Sequence, residues 1–188
     1  MRNWYWKPML GAGLLLTGLY ALNPLNTATL DPRARLLGLT TYSIPSRSMA
    51  PTLEVGDYIA VSTAAYGFSE PQRGDVVVFN APNSQGINYV KRITALPGDR
   101  VAINHSQLLV NGLPVTEPYL NPDQSHATAQ TTEMVERVIA DGELFVLGDN
   151  RNNSNDSRFF GAVPRASLIG RVMGIWYSGE AGRIGVID

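Results

Sequence analysis

Two serines and one lysine are the residues of this chain whose types and setting offer covalent chemistry. Ser46 and Ser48 lie in Pro45-Ser-Arg-Ser-Met-Ala-Pro-Thr-Leu53, bracketed by Pro45 and Pro51. Proline fixes its own φ and biases the residue before it toward extended backbone, so the serines are expected on a stiff, kinked segment rather than in a helix. A nucleophile needs such rigid presentation, and serines between prolines are also ordinary loop filler. The hydroxyl is a weak nucleophile until a base removes its proton. Histidine is a poor candidate for that base. His105 falls in an expected hairpin turn and His126 in a polar loop, and both read as solvent-exposed filler. No Gly-x-Ser-x-Gly elbow is present either, which disfavours a Ser-His-Asp site.

Lysine is the other candidate base. The chain has thirteen arginines but only two lysines, Lys7 and Lys91, so beyond residue 30 Lys91 stands alone. It lies in the strongly β run Ile87-Asn-Tyr-Val-Lys-Arg-Ile-Thr-Ala95. Alternation puts Tyr89, Lys91 and Ile93 on one face and Val90, Arg92 and Thr94 on the other. Burial beside Tyr89 and Ile93 disfavours the ammonium and lowers the pKa from its ordinary value of about 10.4. A neutral amine near neutral pH is then available as a general base. The competing reading is a lysine snorkelling from an edge strand.

The third feature is Gly148-Asp-Asn-Arg-Asn-Asn-Ser-Asn-Asp-Ser-Arg158, a run without an apolar side chain directly after the strand-like Leu144–Leu147. The EF-hand calcium pattern fails, because Arg151 and Phe160 fall where it needs other residues. A loop stitched by Asx hydrogen bonds and an Asp156–Arg158 pair fits better, and it can hold Ser154 against a neighbouring amine.

These groups require elements to hold them. From Asp57 onward the chain shows short β-rich runs punctuated by Gly, Pro and Asn. The pattern predicts strands at Tyr58–Ser62, Asp75–Phe79, Asn88–Ala95, Arg100–Asn104, Gln107–Val110, Met134–Ile139, Glu143–Leu147 and Gly170–Tyr177. Tight turns are expected at Asn104–Gln107 and Asn111-Gly112, and a short helical turn around Pro164–Leu168. Residues 112–133 read as a loop or lobe. Connections are too short for βαβ crossovers, so the body is mostly β and antiparallel.

Residues Met9–Leu22 carry no charge, and Trp4, Tyr5 and Trp6 extend the apolar, aromatic segment toward bilayer length, with Lys7 snorkelling. A retained membrane anchor is the favoured reading. A cleaved signal peptide and a buried soluble helix are the alternatives. A cut after Ala28 would place Asn26 where a small residue is wanted.

Composition limits the remainder. The 188 residues form one domain, or one plus a membrane segment. Fifteen basic and sixteen acidic residues leave a net charge of −1, without the basic excess a nucleic-acid binder needs. The chain has no cysteine, which excludes disulfides, thiolate nucleophiles and Cys-based zinc sites.

Taken together, the anchor, Pro45–Leu53, Arg73-Gly-Asp-Val-Val-Val-Phe79, Tyr89–Asp99 and Gly148–Arg158 resemble bacterial type I signal peptidases, the Ser-Lys enzymes that cut signal peptides from exported proteins. The resemblance implies Ser48 as nucleophile and Lys91 as general base. It implies Ser46 in the oxyanion hole beside the Ser48 N–H, Ser154 orienting the lysine, and Asp156 with Arg158 bracing the loop. Ile44, Met49, Leu53 and Val90 match positions that line small substrate pockets accepting Ala-x-Ala. The implied fold is a barrel-like antiparallel β catalytic core with a small variable lobe at about 104–140, preceded by one transmembrane helix. Residues 1–30 would be the anchor with a short cytoplasmic tip, and 31–188 the extracytoplasmic peptidase domain. The implied location is the bacterial cytoplasmic (inner) membrane, single-pass, with preproteins and the lipid bilayer as partners, no nucleic acid, and neither metal nor cofactor. Ile175, Trp176 and Tyr177 are further expected to touch the headgroup layer.

Two positions depart from the family pattern. Asn152 replaces a frequent acid, which removes a charge near the loop's ion pairs. Arg47 replaces a frequent glycine between the serines, and its bulk would narrow the substrates accepted. Rival readings are a dedicated conjugative-transfer peptidase, a self-cleaving Ser-Lys repressor, and a membrane-tethered module that holds peptides without cutting them.

Overall fold

The computed structural model of the chain describes residues 6–82, 86–120 and 128–187. Trp4 and Tyr5 of the expected anchor, and His126, lie outside the described residues. The chain opens with α1 (Trp6–Leu22) and α2 (Pro32–Leu37). Asp31 caps α2 by accepting from the Arg33 N–H, and Gly38 ends it in the left-handed conformation. Strands β1 (Leu39–Ser43) and β2 (Tyr58–Ser62) follow, then α3 (Ala65–Phe68), β3 (Val76–Asn80) and β4 (Asn88–Ala95). Next come β5 (Arg100–Asn104), β6 (Gln107–Val110), β7 (Leu113–Pro114), α4 (Ala129–Thr132) and β8 (Met134–Val138). The last group is β9 (Glu143–Leu147), α5 (Ser157–Phe160), β10 (Val163–Pro164), β11 (Leu168–Tyr177) and β12 (Gly185–Val186).

Among these residues the fold is mostly β. The main sheet runs β1-β2-β11-β3-β4-β9-β10, with β12 added on β11, and every pairing is antiparallel. It curls around a core that includes Ile59, Val61, Val76, Val78, Ile169 and Val172. β1 and β10 remain as its two ends, so it is an open half-barrel. The second sheet, β7-β6-β5-β8, forms the small lobe. This lobe begins earlier than the expected residue 104, because β5 starts at Arg100 and pairs with both β6 and β8. Its core is continuous with the main sheet through Ala95, Phe145 and Leu147.

Two-residue turns set the register of the lobe. His105 and Ser106 sit at φ 48° and 66°, and Asn111 and Gly112 at φ 55° and 77°. Paired positive φ values give the primed turns whose twist matches a hairpin. β1 was not anticipated from sequence: Leu-Thr-Thr-Tyr-Ser has no apolar alternation, because none of the five residues of this edge strand is buried. β11 starts at Leu168, two residues before the expected Gly170, and pairs there with Phe79.

The N-terminal segment is helical where an anchor is expected, but α1 is 17 residues long. No helix among the described residues is long and apolar enough to cross a membrane. Leu14, Leu15, Leu16 and Leu22 of α1 are all exposed.

Candidate active site

The Pro45–Leu53 segment is a run of turns, kinked and non-helical as its prolines lead one to expect. The Ala50 N–H donates to the Arg47 carbonyl at 3.1 Å and the Leu53 N–H to the Met49 carbonyl at 2.9 Å. The Ala50–Pro51 bond is cis. The cause is burial: Met49 and Leu53, one turn apart, both insert fully into the main core. Each such side chain stabilises the fold by roughly 1.5–3 kcal/mol relative to exposure. The base of the segment is closed by the Ile44 N–H to the Asp57 carbonyl at 2.8 Å and the Gly56 N–H to the Ile44 carbonyl at 2.9 Å. Ser48 thus projects from a turn whose underside is core.

Lys91 comes from the middle of β4, where it pairs with Val77 of β3. Its Nζ lies 2.8 Å from Ser48 Oγ and 2.9 Å from the Val90 carbonyl, and 5.5 Å from the centre of the Tyr89 ring. The residue is 3% exposed. Burial pushes its pKa down to about 8, against the opposing pull of Asp156 and Asp149. At that separation the ammonium donates to Oγ, whereas the neutral amine accepts the hydroxyl proton. Ser46 Oγ sits 3.3 Å from Ser48 Oγ at the exposed edge of the turn.

The polar loop Gly148–Arg158 flanks this pair, and its charges are matched, one pair within the loop and two with residues outside it. Arg158 forks onto Asp156 through two 2.8 Å hydrogen bonds and reaches the Arg151 carbonyl at 2.6 Å. Asp156 also accepts from the Gly148 N–H at 3.0 Å and caps α5. Arg151 pairs with Glu117, so the loop keeps its ion pairs with Asn152 in place of an acid. Asp149 is forked by Arg92 at 3.0 and 2.8 Å, and it accepts from Thr52 Oγ1 at 2.6 Å. The Asn150 N–H donates to the Ser48 carbonyl at 3.1 Å, and its side-chain amide donates to the Arg47 carbonyl at 3.0 Å. The loop therefore grips the Ser48 turn by its backbone. Arg47 itself is exposed and points to Glu54 at 3.7 Å.

Sequence reasoning missed Arg92, Asp149, Asn150 and Thr52 as supports. The signal for one pair was present: Arg92 is a cation on a strand residue facing away from Lys91. Its partner lies 57 positions away, and pattern alone does not assign it.

Ser154 is brought beside Gly148 under the Ser48 turn, and among the described residues it makes no hydrogen bond to Lys91. Its Oγ is buried and has no hydrogen-bond partner. A Cβ added at Gly148 would stand 2.2 Å from Ser154 Oγ and 2.5 Å from the Ser48 carbonyl oxygen, so the glycine is what allows the two segments to meet. The site opens into a cleft of about 610 Å³, whose walls include Ile44, Met49, Val90, Ser46, Ser48 and Lys91. Leu53 is not on this wall. It lies fully buried in the core.

Three comparisons bear on the arrangement. The family model described as "Signal peptidase, peptidase S26" matches residues 29–177. A signal peptidase I of Leptolyngbya laminosa is 40% identical over 162 residues, covering 79% of this chain and 77% of that protein. A signal peptidase I of Pseudomonas aeruginosa is 34% identical over 182 residues, covering 73% of this chain and 64% of the relative. The crystal structure of a signal peptidase I from Enterococcus faecalis superposes with a TM-score of 0.47 at 32% identity, over 55% of this chain and 97% of that one.

Proposed function

This chain belongs to the signal peptidase family, peptidase S26, and is a serine peptidase; from that premise we propose a membrane-anchored endopeptidase that removes signal peptides from exported preproteins, with Ser48 as nucleophile and Lys91 as general base. The observation that carries the assignment is the buried Lys91 amine 2.8 Å from Ser48 Oγ. With a pKa of about 8, much of the amine is neutral at mildly alkaline pH and can accept the hydroxyl proton.

Lys91 takes the proton as Ser48 Oγ attacks the scissile carbonyl. The tetrahedral oxyanion is met by the Ser46 hydroxyl and the Ser48 N–H, donors worth roughly 3–4 kcal/mol at a transition state. Lys91 returns the proton to the leaving amine, and the acyl-enzyme is hydrolysed by a water that the same amine deprotonates. Ser154 is proposed to orient the amine once substrate is bound, a role supported by its buried hydroxyl, which has no partner among the described residues and is free to take one. Asp156 and Arg158 brace the loop that carries it.

The substrate is proposed to bind as an added strand. β4 pairs with β9 only from Arg92 onward, so the stretch before Lys91 is open on the cleft side. Ile44, Met49 and Val90 shape apolar walls there, suited to small side chains of the Ala-x-Ala kind. The anchor is proposed to include α1 and the aromatic residues before it, in the bacterial cytoplasmic membrane with residues 31–188 outside. Of the residues expected at the headgroup layer, Ile175 is instead buried in the main core; exposed Trp176 and Tyr177 form, with Tyr58, a ring cluster with centroids 5.5–6.0 Å apart that suits that layer.

The test is cleavage of a detergent-solubilised Ala-x-Ala precursor by the wild type, Ser48→Ala and Lys91→Met, with the cut located by mass spectrometry. Cleavage after the second Ala, lost in both variants, is expected. A Lys91→Met protein that keeps its rate breaks the mechanism. Binding without cutting by the wild type favours a tethered peptide-binding module.

A further inference from the structure

The family match ends at residue 177. The described residues beyond it, Ser178–Ile187, return across the body as a strap. β12 pairs with β11 through Gly174↔Val186 and Ile175↔Gly185, and Ile187 packs on the main core. The crossing is close: a Cβ added at Gly174 would meet the Gly185 carbonyl oxygen at 2.2 Å and Val186 Cα at 3.1 Å, all strap atoms.

Before β12, a 3-10 turn at Ala181–Arg183 aims Arg183 into the underside of the Ser48 segment. Its Nη2 donates to Asp57 Oδ2 at 2.7 Å and to the Thr52 carbonyl at 3.3 Å, and both terminal nitrogens reach the Pro51 carbonyl at 3.3 Å. Asp57 is 1% exposed and accepts from the Glu54 N–H at 2.8 Å. Its own backbone carbonyl closes the base of the segment through Ile44. Burial alone would raise the Asp57 pKa, but hydrogen bonds from Arg183, the Glu54 N–H and Ser178 hold it below the ordinary carboxylate value. One guanidinium therefore ties residues 51, 52 and 57 together from below. Asn150 and Asp149 grip residues 47, 48 and 52 from the side.

We propose that Arg183, delivered by the C-terminal strap outside the family-matched region, is a positioning residue that holds the Ser48 turn in register with Lys91. The proposal deepens, and rests on, the assignment of Ser48 as nucleophile. The physical reason is geometric. A planar fork with five donors satisfies one carboxylate and two carbonyls at once, which a lysine ammonium does not reproduce. Displacing a reacting atom by about 1 Å costs up to about 100-fold in rate.

The test uses the full chain, as Arg183→Ala, Arg183→Lys and Gly174→Ala, with precursor cleavage kinetics, thermal melting and hydrogen exchange of the 44–57 segment. Gly174→Ala moves the strap without touching that segment. Arg183→Ala is expected to lower kcat roughly 10- to 100-fold with KM nearly unchanged, with part of the rate restored by added methylguanidinium. Arg183→Lys should retain more rate than alanine. Exchange is expected to rise selectively in residues 44–57 in both the Arg183→Ala and Gly174→Ala proteins. Unchanged kcat with unchanged exchange overturns the proposal. So does a loss of rate with exchange rising everywhere and no rescue, because the arginine then serves bulk stability. If the wild type does not cut, the assignment of Ser48 fails separately. The exchange pattern then still decides whether the strap holds the segment, and an unaltered pattern overturns that too.

Discussion

Lys91 and Ser48 are 43 positions apart in the chain, and their Nζ and Oγ atoms meet at 2.8 Å at the wall of an open cleft, with Lys91 itself almost fully shielded from water. Neither residue is unusual alone. The relationship arises because β4 delivers the lysine from the middle of a sheet while Met49 and Leu53 anchor the serine turn in the core beside it.

Activity should follow the deprotonation of Lys91. Its pKa is pushed down to about 8, so kcat/KM is expected to climb with pH below that value and level off above it. A pH–rate profile on a non-titrating precursor measures the limb. A profile flat from pH 6 to 9 would contradict a neutral lysine base.

The same shift carries a stability consequence. Burial lowers the folded pKa below the unfolded one, so between about 8 and the ordinary value near 10.5 the unfolded chain binds more protons. Stability therefore gains from Lys91 as pH rises through that window, and below it the buried ammonium is a cost. Lys91→Met should be inactive yet at least as stable as the wild type at pH 7, and it should lose this part of the pH dependence. Denaturant melts of both proteins at pH 7 and pH 10 test the sign.

Ser46→Ala removes the exposed hydroxyl 3.3 Å from Ser48 Oγ. If it stabilises the oxyanion, kcat should fall by about 100- to 1000-fold with KM nearly unchanged. A proportionate rise in KM instead would assign Ser46 to substrate binding.

Removing one partner of the buried Arg92–Asp149 pair leaves an uncompensated charge. Arg92→Met should cost roughly 3–5 kcal/mol of stability. It should also slow cleavage, because Asp149 then loses its hold on Thr52. Calorimetry and precursor kinetics on one preparation give both values.

Gly148→Ala forces a methyl group to within 2.2 Å of Ser154 Oγ and 2.5 Å of the Ser48 carbonyl. The expected outcome is overpacking of about 1–3 kcal/mol, with near-complete loss of cleavage because the clash lies under the proposed nucleophile. Normal kinetics would show that the loop and the turn separate freely.

Charging the exposed ring cluster tests the membrane surface. Trp176→Asp, in a protein lacking residues 1–30, should bind anionic liposomes more weakly in a flotation assay. Unchanged binding would remove that role from Trp176.

Much of the strand pattern was legible in the chain. Asn88–Ala95, Arg100–Asn104 and Gln107–Val110 form as predicted, because alternation and the Asn-rich turns are local signals that tertiary packing reinforces. The serine and the lysine were readable as well, one by its bracketing prolines and the other as the only lysine beyond residue 30. Edge strand β1 was invisible, since none of its residues is buried and such a strand needs no apolar pattern. The kinked, non-helical course of Pro45–Leu53 was legible from its prolines. Its individual turns were not, because Met49 and Leu53 are buried among core residues distant in sequence.

By itself, then, the amino-acid order marked which residues are candidates for chemistry and that antiparallel strands present them. Only the tertiary structure decided the partners: Arg92 with Asp149, Asn150 on the Ser48 carbonyl, Arg183 beneath Pro51 and Thr52. Secondary structure is encoded within a few residues, so it can be read along the chain. Ion pairs and hydrogen bonds between distant segments depend on how the sheet curls, and that is settled by the joint burial of side chains far apart in sequence.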